Sequence, residues 1–217
     1  MFADRAEAGR LLAEKLASVD LARPLVVLAL PRGGAPVGAE IARRLGAPLD
    51  VVLVRKLGAP HEPELAIGAV ANGTVPEIVL NAKLVHALHL DEDYITGEVT
   101  RELAAIAQRR QEYEGLRSAV KIDGSTVIVV DDGVATGMTM QAALRSLRRK
   151  LPLRLIVAAP VASRDAARML RRESDQVVCL ATPRRFGSVG AYYRSFAQVS
   201  DLDVAALLRD ATARILN

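Results

Sequence analysis

T-V-I-V-V-D-D-G-V-A-T-G-M-T-M-Q, residues 126–141, decides how the rest of the chain is read. Val127, Ile128, Val129 and Val130 form a bare apolar run rich in β-branched residues, the pattern of a strand buried on both faces in a parallel sheet. Two carboxylates, Asp131 and Asp132, close the strand. A short loop of small and hydroxyl residues runs from Gly133 to Thr139. Met140, Ala143, Leu144 and Leu147 then recur at helical spacing, which predicts a helix from about Thr139.

The loop has the makings of an anion cradle. Free N–H groups at a helix N-terminus, with the helix dipole behind them, suit a phosphate. Gly133 and Gly137 let the backbone curl so that successive N–H groups point inward, and the hydroxyls of Thr136 and Thr139 can donate as well. Acids beside a phosphate need partners of their own, and ionised carboxylates accept strong hydrogen bonds from O–H donors such as sugar hydroxyls. A ribose 5-phosphate satisfies both halves. A Rossmann fingerprint would need G-x-G-x-x-G and a P-loop a Lys after the last glycine; neither is present in this stretch.

Upstream, residues 25–30 (L-V-V-L-A-L) read as another buried strand, followed by Pro31-Arg32-Gly33-Gly34 and a helix carrying Val37, Ile41, Ala42 and Leu45 that stops near Gly46. P-R-G-G alone could be an ordinary tight turn. Its position after a buried strand makes it a second anion loop, because ligands of doubly wound sheets lie beyond the carboxyl ends of strands where the order reverses. Residues 50–54 read as the next strand, ending in Arg55-Lys56. A Gly- and Pro-containing segment at 57–73 follows, with His61 solvated and 66–71 able to pair as a strand.

Residues 81–115 interrupt the β-α rhythm: a short helix with Val85, Leu88 and Leu90, then a long amphipathic one from Asp91, its N-cap, with Ile95, Val99, Leu103 and Ile106 inward. His86 and His89 read as surface residues. Farther on, 153–159 is a strand, Ser163 caps a helix, and 176–181 is the last core strand. Residues 182–200 hold Phe186, Tyr192, Tyr193 and Phe196, four of only seven aromatics in the chain. Such rings suit a flat heteroaromatic ligand or an anchored tail. A closing helix from Asp201 turns Val204, Leu207, Leu208 and Ile215 inward, and a first helix over 4–18 does the same with Ala6, Leu11, Leu12 and Leu16.

With 217 residues, 51% of them apolar, the chain suits one α/β domain with a real core. Its single cysteine, Cys179, lies in an apolar run and reads as a core residue, in keeping with a reducing cytoplasm. No signal-peptide pattern opens the chain and no apolar run approaches ~18–20 residues, so neither secretion nor a membrane span is expected. The net charge of +4 suits small polyanionic substrates, and without a nucleic-acid module signature no nucleic-acid partner is expected.

Together these segments resemble type I phosphoribosyltransferases over roughly residues 25–180, most of all the group carrying R-G-G, R-K-L-G, D-D-G-x-A-T-G-x-T and V-G-A-Y-Y segments. The resemblance implies a doubly wound, mainly parallel sheet with a flap (57–73) and a helical insertion or hood (81–115). It implies that phosphoribosyl pyrophosphate (PRPP) gives its phosphoribosyl group to a nitrogen acceptor and releases pyrophosphate. Asp131 and Asp132 would hold the ribose hydroxyls. Gly133, Val134, Ala135, Thr136, Gly137, Met138 and Thr139 would wrap the 5-phosphate. Arg32, Gly33, Gly34, Arg55 and Lys56 would face the pyrophosphate, with Arg32 and Lys56 stabilising the departing charge. Mg²⁺ would enter through PRPP, with Asp131 the one candidate protein ligand. Relatives often carry a non-proline cis peptide in the pyrophosphate loop. Enzymes for hypoxanthine and guanine carry an acid where Ala135 stands, which argues against that specificity. Phe186, Tyr192 and Tyr193 are the candidates for the acceptor wall. Some members of this fold bind PRPP as regulators, which is the alternative to catalysis, and a homo-oligomer is compatible with either.

Overall fold

The structure, a computed structural model, describes residues 1–71, 75–113 and 120–216. Positions 72–73 of the expected flap and 114–115 of the expected insertion lie outside them. The central sheet has five parallel strands in the order β2-β1-β6-β7-β8. These are β1 (Leu25–Ala29), β2 (Leu49–Val51), β6 (Thr126–Val130), β7 (Arg154–Val161) and β8 (Gln176–Ala181). Every residue of β1 and β6 is buried. Alternate residues face opposite sides, as strand geometry requires. Val27, Ile128 and Ile156 meet α1 (Arg5–Ala17), α2 (Gly34–Leu45) and α7 (Asp201–Leu216) on one side. Val26, Val127, Val129 and Leu155 meet α5 (Met138–Arg148) and α6 (Arg164–Glu173) on the other. The chain leaves β1 in one direction towards β2 and β6 continues in the other. The switch point therefore lies between β1 and β6, where the P-R-G-G and D-D loops emerge.

Local chemistry explains most element ends. Asp4 caps α1, accepting from the Glu7 N–H at 2.8 Å. Gly46 closes α2 at φ 58°, a conformation that costs glycine nothing. Ser163 caps α6 through the Ala166 N–H. In α1 the buried residues are Ala8, Gly9, Leu12, Ala13 and Leu16, whereas Leu11, expected inward, is 43% exposed. Leu11 lies next to the inward stripe, on the flank that no element covers.

The second departure concerns Arg55 and Lys56. They do not end a core strand. The central strand stops at Val51, and after two residues the chain starts β3 (Val54–Ala59) in a separate antiparallel sheet with β4 (Glu62–Ala71) and β5 (Glu77–Leu80). Lys56 pairs in register with Ala69 and Arg55 with Val70. His61 sits exposed at the β3–β4 turn with φ 61°. This small sheet is held between α5 and the long helix α4 (Glu92–Tyr113): Ala69, Ala71 and Val79 pack with Ala142, while Leu57, Ile67 and Val70 share a core with Val99 and Ile106. A short helix, α3 (Ala82–Ala87), precedes α4, and His86 and His89 are both exposed.

The join between β3 and α4 is specific. The β3–β4 register shifts on both sides of Gly58, a bulge that takes backbone groups out of the ladder. Both are satisfied by α4: the Gly58 N–H donates to Glu98 Oε1 at 3.0 Å and its carbonyl accepts from the Tyr94 hydroxyl at 2.9 Å.

Candidate active site

The loops that follow β1 and β6 meet at the switch point and interlock. A Cβ added to Gly34 would lie 2.6 Å from the Val130 carbonyl oxygen and 3.0 Å from Asp131 Cα. One added to Gly33 would lie 2.1 Å from Asp132 Oδ2. The glycines are therefore required by close approach of the first loop to the acid pair. Arg32 precedes them, and the Pro31–Arg32 peptide is cis.

Beyond the pair, Val134 joins the sheet edge, its N–H donating to Val161 O at 2.9 Å and its carbonyl accepting from Ser163 N. Ser163 Oγ also donates to the Ala135 carbonyl at 2.6 Å. Ala135 and Thr136 are exposed at the loop tip. Gly137 turns the chain into α5 at φ 84°, where a side chain would be strained. The helix begins at Met138, and Thr139 lies in its first turn. Gly133 is closed over by Val189, whose Cγ1 lies 2.4 Å from where a Cβ would stand.

A cleft of about 480 Å³ opens beside these loops. Its wall includes Arg32, Lys56, Asp131 and Thr139 from the expected motifs, and Arg101 and Arg109 from α4. The insertion helix is thus part of the site. Glu98 and Glu102, also on α4, are buried and take up cations at the rim: Glu102 accepts from Arg55 Nε at 2.7 Å, and Glu98 pairs with Arg101 at 2.5 Å. Arg32 and Arg109 both approach Asp201 at the start of α7, at 3.5 and 3.4 Å. Lys56 is exposed.

The acid pair is electrostatically unequal. Burial, reinforced by the adjacent Asp132 carboxylate, holds Asp131 well above the usual carboxylate range. Burial also raises Asp132, against the opposing pull of Arg5. Arg5 Nε donates to Asp132 Oδ2 at 2.7 Å, a contact that sequence reading missed. One signal was available: a cation in the first turn of a helix opposes the dipole, so Arg5 needs an acidic partner nearby.

The aromatic segment meets the acid pair through Asp132. The Tyr193 hydroxyl donates to the Asp132 carbonyl, and its ring, 5% exposed, lies between Phe2 and Phe196, with centroids at 5.4 and 5.1 Å. Tyr193 was expected to offer its ring to an acceptor; packing leaves it no free face, and it supports the acid pair instead. Phe186 and Tyr192 are half-buried and contact each other at 5.5 Å. None of the three lines the 480 Å³ cleft. Cys179 is partly buried, and burial pushes its thiol up to about 11, too high for a nucleophile at neutral pH.

A family model described as "Phosphoribosyl transferase domain" matches residues 3–194. The chain belongs to the phosphoribosyl transferase domain family. The matched span of the phosphoribosyl transferase domain takes in both anion loops, the β3 cations, α4 and Tyr193. The "Putative phosphoribosyl transferase Rv0571c" of Mycobacterium tuberculosis H37Rv is 41% identical over 208 residues, which cover 96% of this chain and 46% of that protein. The chain therefore spans about half the length of the curated relatives it matches. The crystal structure of TT1426 from Thermus thermophilus is 45% identical and superposes with a TM-score of 0.80, covering 96% of this chain and 98% of that one. AQ2163 protein from Aquifex aeolicus, 12% identical, shares the fold at a TM-score of 0.51 over 93% of this chain and 84% of its own. No helix among the described residues is long and apolar enough to cross a membrane.

Proposed function

We propose that this domain binds PRPP and transfers its phosphoribosyl group to a nitrogen acceptor, releasing pyrophosphate. The observation that carries the reading is the interlock of Gly33 and Gly34 with Asp131 and Asp132, beside a cleft whose wall includes Arg32, Lys56 and Asp131. A phosphate loop, paired acids and a second anion loop then converge on one ligand with a phosphate at each end and a diol between.

The roles follow from position. N–H groups of residues 133 and 135–139, with the α5 dipole behind them, would bind the 5-phosphate, whereas the Val134 N–H is held by the Val161 carbonyl. Asp131 and Asp132 would accept from the ribose hydroxyls, and that donation relieves two acids otherwise crowded together. Arg32 and Lys56 would stabilise charge on the departing pyrophosphate, while Arg55, Arg101 and Arg109, each paired with a carboxylate, line the rest of the wall. No group of three His, Cys, Asp or Glu side chains among the described residues could hold a metal ion. A Mg²⁺ ion carried on the substrate's own phosphates fits this donor set, with Asp131 as its nearest protein carboxylate. When bound, it would neutralise leaving-group charge. For the acceptor, Phe186 and Tyr192 are the candidate flat surface.

The test is calorimetry with PRPP and Mg²⁺, followed by labelled PRPP with a panel of bases and amines. Binding and acceptor-dependent pyrophosphate release are expected. Asp131→Asn and Asp132→Asn should each weaken binding about tenfold or more, since hydrogen bonds to a charged acceptor are worth ~1.5–3 kcal/mol. Binding without release under any acceptor would favour a regulator on the same fold. No binding at millimolar PRPP would overturn the proposal.

A further inference from the structure

The N-terminal helix contributes to the site through one side chain. Arg5 is the first residue of α1, and its guanidinium is only 12% exposed. It is fixed on three sides. Nε donates to Asp132 Oδ2 at 2.7 Å, Nη1 donates to the Ala197 carbonyl at 2.6 Å, and the guanidinium carbon stands 3.8 Å over the Phe196 ring. Phe196 in turn stacks on Tyr193, whose hydroxyl holds the Asp132 main-chain carbonyl. The N-terminal strandlet locks this arrangement in place. The Phe2 N–H donates to Tyr192 O and the Arg194 N–H donates to Phe2 O, both at 2.8 Å.

The consequence falls on Asp132. Its Oδ2 is enclosed between Arg5 and the Gly33 backbone, where not even a Cβ would fit. The carboxylate cannot turn without losing Arg5, so the orientation of its other oxygen, Oδ1, is set before any ligand arrives. Arg5 cannot follow a ligand either, because its remaining contacts tie it to residues 196–197. A group held by three protein contacts acts as a brace. One free to swing would act as a competitor for the same carboxylate.

We propose that Arg5 is a positioning residue for PRPP, acting through Asp132: it presents a charged, pre-aimed carboxylate oxygen to the ribose and touches no substrate itself. The inference rests on the PRPP reading above. It makes the N-terminal helix and the C-terminal aromatic segment a support for the ribose subsite.

The test measures PRPP affinity with Mg²⁺ by calorimetry, and KM and kcat by pyrophosphate release. Wild type, Arg5→Met, Arg5→Lys, Asp132→Asn and the Arg5→Met/Asp132→Asn double variant are compared. Arg5→Met is expected to weaken PRPP binding about tenfold, the scale of one charge-assisted contact. It should raise KM for PRPP more than it lowers kcat. Arg5→Lys should recover most of the loss. In the Asp132→Asn background Arg5→Met should cost nothing further, because the carboxylate through which it acts is gone. Should Arg5→Met fail to fold, Phe196→Leu, which removes the ring under the guanidinium and leaves the charge, is expected to shift KM in the same direction. Unchanged affinity in a folded Arg5→Met, tighter binding, or a loss that adds fully to that of Asp132→Asn would each overturn the proposal. If the wild type itself binds no PRPP, it is the underlying reading that fails.

Discussion

Gly34 shows how little room the site leaves at single positions. Its α-hydrogen faces the Val130 carbonyl and Asp131 Cα, both backbone atoms of the central strand, which cannot rotate out of the way. Gly34→Ala is therefore expected to destabilise the fold by about 1–3 kcal/mol, the usual cost of overpacking. It should also part the two anion loops, so PRPP affinity should fall together with the urea midpoint. A stable Gly34→Ala protein with unchanged affinity would show that the loops need not touch. Glycines with empty surroundings, such as Gly97 and Gly187, carry no such expectation.

Among the secondary-structure elements, α4 is the one that holds β3, the first strand of the expected flap. Tyr94 and Glu98 capture both backbone groups of the Gly58 bulge. Tyr94→Phe should cost about 1–3 kcal/mol, because the buried Gly58 carbonyl is left unsatisfied. Hydrogen exchange should then rise in β3 and β4 while β6 and β7 stay protected; uniform loss of protection would mean that the small sheet is no separate unit. On the opposite face, α5 and α6 are tied by Arg145, whose Nη2 lies 2.7 Å from Glu173 Oε1, with Gln141 adding a bond at 2.6 Å. The Arg145 hydrogen bond lowers the Glu173 carboxyl below its usual range. A carboxylate lowered by folding stabilises the protein above its unfolded pKa, and the contribution is lost as pH falls through the folded value. The gap in melting temperature between wild type and Arg145→Met should thus be present at neutral pH. It should close below the ordinary glutamate range of about 4.3. Differential scanning at two pH values checks this; a gap that persists in acid would mean the contact acts through packing.

For the molecule as a whole, the cleft draws on the loops after β1 and β6, on β3 and β4, and on α4 and α5 together. A ligand spanning them binds only the folded chain, so it should stabilise the protein globally. At a hundredfold excess over Kd the gain is about 2.7 kcal/mol. For a chain of this size that corresponds to roughly 5–10 °C in melting temperature. Thermal scanning with PRPP and Mg²⁺ against Mg²⁺ alone measures it. A null result at saturating PRPP would mean that the cleft is not the binding site.

The parallel sheet, the two glycine-containing loops that close its first and central strands, and the helices behind them were legible from residue order alone. Each is a local pattern: an apolar run such as 127–130 buried on both faces, small residues at a turn, apolar residues at helical spacing. Side-chain periodicity follows from backbone geometry and needs no knowledge of distant neighbours. Folding settled what depends on distant neighbours. Arg5 meets an acid 127 positions away. Glu98 and Glu102 lie on an amphipathic helix and are drawn into contact with β3 only by the fold. Arg55 and Lys56 read as the end of a core strand because a short β-run carries no mark of the sheet it will join. Tyr193 read as a surface for a ligand because an aromatic side chain suits a pocket and a core equally, and only its packing between Phe2 and Phe196 distinguishes the two. Local order encodes which element forms; which charges and rings come to share an environment is decided by the pairing of elements far apart in the chain.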